Sequence, residues 1–376
     1  MLSRKLFLSL YVIAILAFFT LSYSSFYSNF FEFFLIVLVL INLRTINKSV
    51  ILLLLSSTVY LVTSLVYSVA YNQANILDFL LIYKFFVYAI LLSLLVNKKN
   101  LNQVDFVSFY NFLLWVFLIK YITSIVFFGN NRPIVFYENN YELMLLSLLF
   151  YLKNIVVQEG VSVKDQVFLS TIFILSGSKS GILILLFMLS IINYKYLAKK
   201  AHIIVPFVFV LTITAIFIFK QRMGGTFDIE KIDRFKFLMV FLSEVEDWSI
   251  LDFLIGADRI TSLSSFACGK LGYYQSLFSY SGDGSCYSVI FHSFILRVIY
   301  DHGIFGLLFM CYFVYKILKV SGFTKKQCYT VLGIALLNGL SVSSFNSIYF
   351  VLGVVFYLTI NNKQANILKR EHYAVN

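Results

Sequence analysis

Long runs of apolar residues constrain the fold of this 376-residue chain more than any other feature. Residues 51–69 and 203–219 continue for a membrane thickness without the alternation of apolar and polar residues that marks barrel strands. Hydrophobic residues form 60% of the chain and charged residues only 13%, whereas soluble globular chains carry about 25% charged residues. The sequence therefore predicts an all-α membrane protein.

The apolar runs predict about twelve transmembrane helices, with ten or fourteen as the alternatives. Basic residues lie in every second loop and at both ends, such as Arg4 and Lys5 before the first span and Lys98 and Lys99 after the fourth. Because basic loops face the cytoplasm, both termini are expected there. Residues 1–18 lack a small-residue cleavage site and are expected to be a retained first helix. The expected spans cover residues 6–26, 30–43, 50–70, 76–96, 105–128, 141–158, 165–177, 180–194, 202–219, 303–318, 328–343 and 347–361.

Residues 220–302, called the long loop below, are too polar for a span and too numerous for a short loop between two spans. We expect them to fold over the outer membrane face, with helices near 228–246 and 287–301, where apolar residues recur at helical spacing. The chain then divides into about nine transmembrane helices in residues 1–219, the long loop, and about three helices with a cytoplasmic tail in residues 303–376.

Several classes of site are excluded by the motifs that the sequence does not contain. The formal net charge of +12 comes from basic residues scattered in pairs between apolar runs, which is typical of orientation signals and not of nucleic-acid binding. The chain has no CxxC, no HExxH, no carboxylate cluster with ligand spacing, no P-loop and no GxGxxG. No metal, nucleotide or other cofactor is therefore expected.

Two of the four cysteines, Cys268 and Cys286, lie in the long loop. Outside the cytoplasm a disulfide can persist, and a bridge between them would close the glycine-rich part of the loop. The alternative is that both are small unpaired residues.

Isolated cations lie next to apolar spans on the expected outer side. Arginine matches phosphate oxygens with a planar fork and stays charged, so several such cations at one membrane face would suit a lipid-linked diphosphate. The alternative for each is a solvated or snorkelling side chain. This alternative is weaker for Arg297, because residues 291–300 are otherwise nearly all apolar and a charge there needs a partner. The candidates are Arg132, Lys179, Arg222, Arg234, Arg259 and Arg297.

His292 begins a group that also contains Arg297, Asp301 and His302. On a helix, Arg297 and Asp301 are four residues apart and can pair. A neutral imidazole at the mouth of a cavity can take a proton from a hydroxyl near neutral pH. The alternative is a surface histidine without a catalytic role.

The stretch 292–306 resembles a motif of the O-antigen polymerase and O-antigen ligase family, in which His-Asn precedes an apolar helix and an acidic residue near Gly-Ile-x-Gly. Residues 233–256, with Arg234, Trp248 and Gly256, resemble the family's Arg, Trp and Gly pattern. Residues 175–182 resemble its Ser-Arg turn, and residues 137–141 resemble its Asn-containing helix start. All four occur in the family's order. Two positions depart from the pattern: Lys179 stands in place of the turn's arginine, and Ser293 in place of the asparagine after the histidine.

The resemblance implies a metal-independent glycosyltransferase of the bacterial inner membrane that acts at the periplasmic face. Its donor would be an oligosaccharide on undecaprenyl diphosphate, and its expected partners are a chain-length regulator and a flippase. A polymerase, which we favour, would use a second lipid-linked repeat unit as acceptor, whereas a ligase would use the lipid A core.

The same resemblance suggests roles for the candidate residues. Arg234, Arg222 and Arg297 would hold the diphosphate leaving group, with Lys179 and Arg132 assisting. His292 would take the proton of the acceptor hydroxyl or orient that hydroxyl. The remaining candidates for contacts with the glycan or the diphosphate are Arg259, Asn140, Asp301 and His302.

Two rivals come from other functional classes. A flippase or other secondary transporter would also have about twelve spans, but it would not need so long an outer loop. A scaffold or length-regulating subunit without catalysis is the second rival, and in it Arg234 and His292 would be dispensable.

Overall fold

The structure, a computed structural model, describes residues 2–20, 25–43, 46–199 and 233–361. The expected span 202–219 and the candidate Arg222 lie outside these ranges. The described chain is all-helical, and its only extended pairing is an isolated parallel bridge between Leu101 and Ile360. Its helices are α1 (Leu2–Phe19), α2 (Phe26–Asn42), α3 (Ile51–Leu65), α4 (Ile76–Ile82), α5 (Lys84–Leu95), α6 (Gln103–Phe128), α7 (Asn139–Val156), α8 (Val163–Leu175), α9 (Lys179–Ile192), α10 (Tyr194–Lys199), α11 (Asp233–Glu244), α12 (Ile250–Ile255), α13 (Ser265–Lys270), α14 (Phe294–Val320), α15 (Lys325–Gly339) and α16 (Ile348–Thr359).

Three helical segments of the described chain are long and apolar enough to cross a membrane: Lys48–Tyr71, Gln103–Phe128 and Phe294–Val320. The pair α4 and α5, bent by 63° at Tyr83, adds a fourth if it is one broken span. The bend leaves backbone N–H groups without partners inside the helix. One of them, Phe85 N–H, donates to Asn346 Oδ1, in the connection between α15 and α16, at 3.1 Å. Shorter apolar helices lie at Phe7–Phe19, Phe26–Asn42, Lys179–Ile192 and Ile348–Thr359. The figure of twelve spans stays a prediction.

The helix pair α7 and α16 forms the centre of the bundle. Every residue of α16 is buried, as are nearly all residues of α7. The two helices approach closely because Gly353 has no side chain: a Cβ there would lie 2.6 Å from Leu148 Cδ1. The other helices around this pair include α2, α5, α6, α9 and α15.

The described part of the long loop has its own hydrophobic core, separate from that of the bundle. Phe237, Phe241, Leu263, Ile290 and Phe291 are among its buried residues. A disulfide joins Cys268 of α13 to Cys286, and α11 lies within the expected helix 228–246. The loop is therefore a folded layer.

The expected end of the long loop at residue 302 coincides with a break in the backbone of α14, which runs from Phe294 to Val320. Gly303, with φ of 65° and ψ of −175°, is not helical and separates the first turns of α14 from the rest. The side chains of Asp301 and His302, just before this break, are both buried.

Asp78 of α4 fastens the long loop to the bundle. The buried carboxylate of Asp78 accepts hydrogen bonds from Ser279 Oγ at 2.7 Å and from Tyr280 N–H at 3.2 Å. The loop therefore covers the end of the bundle at which α4, α7, α9 and α14 begin.

Candidate functional site

A cavity of about 550 Å³ lies between the long loop and the ends of α7 and α9. We call it the main cavity because five of the expected site residues line it. It is bordered by residues just before α7, by the turn between α8 and α9, by α11, and by the segment before α14. Its lining residues are Arg132, Glu138, Asn140, Gly177, Ser178, Lys179, Ser180, Arg234, Phe237, Tyr274, His292 and Ser341.

The segment before α7 is folded back onto its own helix by Glu142. The buried side chain of Glu142 accepts hydrogen bonds from the backbone N–H groups of Val135, Phe136 and Tyr137, at 2.9, 2.5 and 2.6 Å. Three backbone donors on one carboxylate fix the path of this segment. Arg132, before these donors, and Glu138, after them, are thereby both held at the main cavity.

The turn between α8 and α9 is fastened to α7 through small polar side chains. Ser178 caps α9 by accepting from Gly181 N–H at 3.0 Å. Ser178 Oγ and Ser180 Oγ donate to Asn140 Oδ1 at 2.7 and 3.0 Å. Gly177 has φ of 62°, and a Cβ there would lie 2.7 Å from the carbonyl oxygen of Asn131. The close approach puts the exposed Lys179 at the cavity.

The opposite wall is aromatic and comes from the long loop. The His292 ring lies 4.7 Å from the Tyr274 ring and 5.3 Å from the Phe237 ring, centroid to centroid. Arg234, on the first described turn of α11, is exposed and lines the same cavity. His292 itself is half-buried and directly precedes Ser293, the N-cap of α14.

The described residues that line the main cavity carry an excess of positive charge. Among them are three cations, Arg132, Lys179 and Arg234, and one carboxylate, Glu138. Burial raises the pKa of Glu138, and the nearby Arg132 and a hydrogen bond from Asn140 partly offset that rise. Helices α7, α9 and α14 also begin at the cavity, and helix N-termini favour anions. The arrangement can hold a polyanion, and it offers groups that accept a proton.

Arg297 and Asp301 were expected at the site, but they lie in a buried network outside the main cavity. The guanidinium of Arg297 donates to Ser343 Oγ at 3.2 Å and to the carbonyl oxygen of Leu81 at 2.5 Å. Its Nε lies 3.7 Å from Asp301 Oδ2, and that oxygen accepts from Ser288 Oγ at 2.6 Å. A charge among apolar residues needs a partner, and Arg297 finds its partners within the protein itself.

Arg259 and His302 also lie away from the main cavity. They line a second, smaller space between α3, α5 and α14. Of the expected site residues that the structure describes, it brings Arg132, Asn140, Lys179, Arg234 and His292 together.

Several residues at the site were missed by the sequence analysis. Glu138 is two positions before Asn140 in a motif that was recognised only for its asparagine. Ser178 and Ser180 flank Lys179 in the same way. Glu142 carried a signal of its own, because a carboxylate within an apolar helix usually has a specific partner.

No protein-family model, curated protein or solved structure matches this chain. The chemistry of the site can therefore be deduced only from its own described groups: three cations, clustered hydroxyls, one carboxylate, one imidazole and an aromatic wall. Such a set can bind an anionic group and form hydrogen bonds beside it.

Proposed function

We propose that this protein is a surface-polysaccharide polymerase that joins undecaprenyl-diphosphate-linked repeat units at the periplasmic face of the bacterial inner membrane. One observation carries the proposal. Arg132, Lys179 and Arg234 come from three distant parts of the chain and line one cavity at the end of a bundle of apolar helices. The order of the family-like motifs supports the same reading.

In this proposal the cations of the main cavity bind the diphosphate of the donor. Arg132 and Arg234 are exposed, so their forks can reach phosphate oxygens, while Lys179 supplies a point charge at the N-terminus of α9. When the anomeric C–O bond breaks, the diphosphate leaves with the electron pair. Groups already placed around that developing charge stabilise the transition state.

The acceptor hydroxyl attacks the anomeric carbon and must lose its proton in the same step. We assign the proton to Glu138, because burial raises its pKa above that of an ordinary carboxyl and so makes it a better base. The sequence favoured His292 for taking this proton or for orienting the hydroxyl. Its ring packs between Phe237 and Tyr274, a position that suits the second role.

The aromatic wall gives the glycan a surface to pack on. Tyr274 and Phe237 border the main cavity opposite Asn140 and the two serines of the turn. Sugar rings combine apolar faces with hydroxyl edges, and the cavity offers ring faces on one side and hydrogen-bonding groups on the other. The same cavity therefore offers contacts for both parts of the donor, its sugar and its diphosphate.

The test is the lipopolysaccharide ladder of a strain that lacks the gene and is complemented with variants. Arg132→Gln and Arg234→Gln should each lose the ladder and keep a single attached repeat unit, with transfer slowed about 100-fold or more. Lys236→Gln is the matched control, since Lys236 is an exposed cation on the same helix that does not line the cavity; it should keep the ladder.

Three outcomes contradict the proposal. A normal ladder from both arginine variants at normal protein levels would show that the cavity does not hold the leaving group. Loss of every attached unit while lipid-linked polymer accumulates would identify a ligase. Repeat units trapped on the cytoplasmic side would identify a flippase.

A further inference from the structure

A second space in the structure is separate from the main cavity. It is a crevice of about 330 Å³ between α3, α5 and α14, and four of its lining residues are tyrosine or phenylalanine: Tyr60, Phe86, Phe305 and Phe309. Helices α3 and α14 belong to two of the three segments long enough to cross a membrane. Phe305 is 56% exposed, so the crevice opens at the side of the bundle. A space bordered by spanning helices and open to the side suits a hydrocarbon chain.

One end of this crevice is cationic. Arg259, from the long loop, places its guanidinium 4.9 Å from the centroid of the Tyr60 ring. The backbone of Arg259 is held by Asn72, whose Nδ2 donates to the Arg259 carbonyl oxygen at 3.2 Å. The Tyr60 hydroxyl lies 3.0 Å from Nδ1 of the buried His302. The crevice is therefore amphipathic, with an apolar body and a fixed cation at its end.

The proposed reaction requires two lipid-linked molecules at once. The donor gives up its diphosphate in the main cavity, while the acceptor keeps its own lipid diphosphate throughout. The acceptor therefore needs a place for a second isoprenoid chain and a second anionic group. His292 borders the main cavity just before α14 begins at Phe294, and His302 borders the crevice eight residues further along that helix, which is about 12 Å of helical rise. A short oligosaccharide can span such a distance.

We propose that the Arg259 crevice binds the lipid diphosphate of the acceptor, with the polyprenyl chain against Phe305 and Phe309 and the diphosphate on Arg259. This inference rests on the proposed polymerase function. It assigns Arg259 to substrate binding at a second lipid site, at which no bond is made or broken.

Photolabelling of the purified full-length protein in phosphatidylcholine nanodiscs tests the crevice directly. The probe is a polyprenyl diphosphate that carries a photoreactive group on its chain and no sugar. Wild-type protein should be labelled on peptides of α3 and α14. Arg259→Gln should reduce that labelling about tenfold through loss of a charge-assisted contact, and Arg259→Lys should retain most of it. Lys270→Gln, which changes an exposed cation of the same loop, is the matched control and should label normally.

Absence of labelling on α3 and α14, or equal labelling of wild type and Arg259→Gln, would overturn the inference. Competition identifies the source of the anionic group. Unlabelled polyprenyl diphosphate should displace the probe. Equal displacement by phosphatidylglycerol would overturn the inference, because the crevice would then be a general phospholipid site.

Kinetics test the acceptor role. Each lipid-linked repeat unit can act as donor or as acceptor, so the hydroxyl that would accept a sugar is blocked on the molecule that serves as donor. Arg259→Gln should raise KM for the acceptor and leave KM for the donor unchanged; an increase for the donor alone would overturn the assignment. Photolabelling requires no glycosyl transfer, so failure of the crevice appears in the labelling. Failure of the polymerase function appears separately, in the ladder of Arg234→Gln.

Discussion

Gly256 and Gly303 meet backbone against backbone where the long loop docks on α14. A Cβ on Gly256 would lie 2.7 Å from the backbone nitrogens of both His302 and Gly303. Both glycines have positive φ, 84° and 65°. Beside them, Ala257 N–H donates to the carbonyl oxygen of Tyr300 at 2.8 Å. This contact fixes the loop beside His302.

We expect Gly256→Ala to destabilise the docked loop. Gly256 has φ of 84° and ψ of 176°, a combination that almost only glycine adopts and that costs a residue with a side chain about 1–3 kcal/mol. The collision with α14 adds about 1–3 kcal/mol of overpacking. Gly284→Ala is the matched control, because Gly284 has φ of 80° but no atom within 4 Å of a Cβ. Thermal unfolding followed by tryptophan fluorescence should report the change, since Trp248 stacks 5.5 Å from Tyr300. Equal unfolding midpoints for the two variants would show that the contact is loose.

The sequence predicted local features of this region well and long-range ones poorly. The turn between α8 and α9 was placed to within a few residues, because hydrophobic periodicity and Gly/Ser punctuation act over short distances. Gly256 and Gly303 were both seen as parts of motifs, but their pairing was not, since nothing in either segment encodes its distant partner. Arg132, Lys179 and Arg234 were grouped from their expected outer side and from the family resemblance, but nothing in the three segments predicts that they line one cavity.

Arg297 shows why a charge in an apolar segment does not by itself mark a substrate site. The sequence required a partner for it, and the structure supplies Ser343, Asp301 and a carbonyl of α4. Ser343 and that carbonyl are distant in the chain, so the sequence could not distinguish an internal partner from a bound diphosphate. Glu142 was overlooked for the related reason that its three donors are backbone groups, which leave no mark in a residue pattern.

We expect Glu142→Gln to loosen the segment that carries Arg132 and Glu138. Glutamine replaces one acceptor oxygen with a donor and removes the charge, so hydrogen bonds worth about 1.5–3 kcal/mol each are weakened. Hydrogen exchange should accelerate at the amides of Val135, Phe136 and Tyr137, and the polysaccharide ladder should shorten. The matched control is Glu159→Gln, an exposed glutamate just after α7 that should change neither reading. Unchanged exchange at these three amides would mean that the segment holds its path without Glu142.

We expect the rate of transfer to fall in acid as Glu138 takes up a proton. The basic form is the carboxylate, which predominates above its pKa; because burial raises that pKa above 4.5, the loss begins at a higher pH than for an exposed glutamate. Glu138→Gln should lower kcat about 100-fold or more and remove this acid limb. The rate–pH profile of the purified protein measures both effects.

Two further variants decide which group receives the proton. Glu246→Gln alters an exposed carboxylate of the long loop and should leave the profile unchanged. His292→Gln should lower kcat and keep the acid limb, because the histidine orients the hydroxyl in our assignment. An acid limb that disappears with His292→Gln and persists with Glu138→Gln would return the role of base to the histidine.

The Arg297 network should contribute to stability and not to catalysis. Arg297→Met leaves Asp301 buried with only Ser288 as partner, and Asp301→Leu leaves the guanidinium without its counter-charge. Removing one partner of a buried pair costs about 3–5 kcal/mol, whereas removing both eliminates the uncompensated charge. The two single variants should each lower the unfolding temperature, and the double variant should lower it by much less than the sum of those two losses. A double-mutant cycle in detergent measures this difference.

At matched protein levels the double variant should still produce the ladder, because neither side chain lines the main cavity. A stable Arg297→Met protein that makes no ladder would instead place this guanidinium on the diphosphate, as the family resemblance implies.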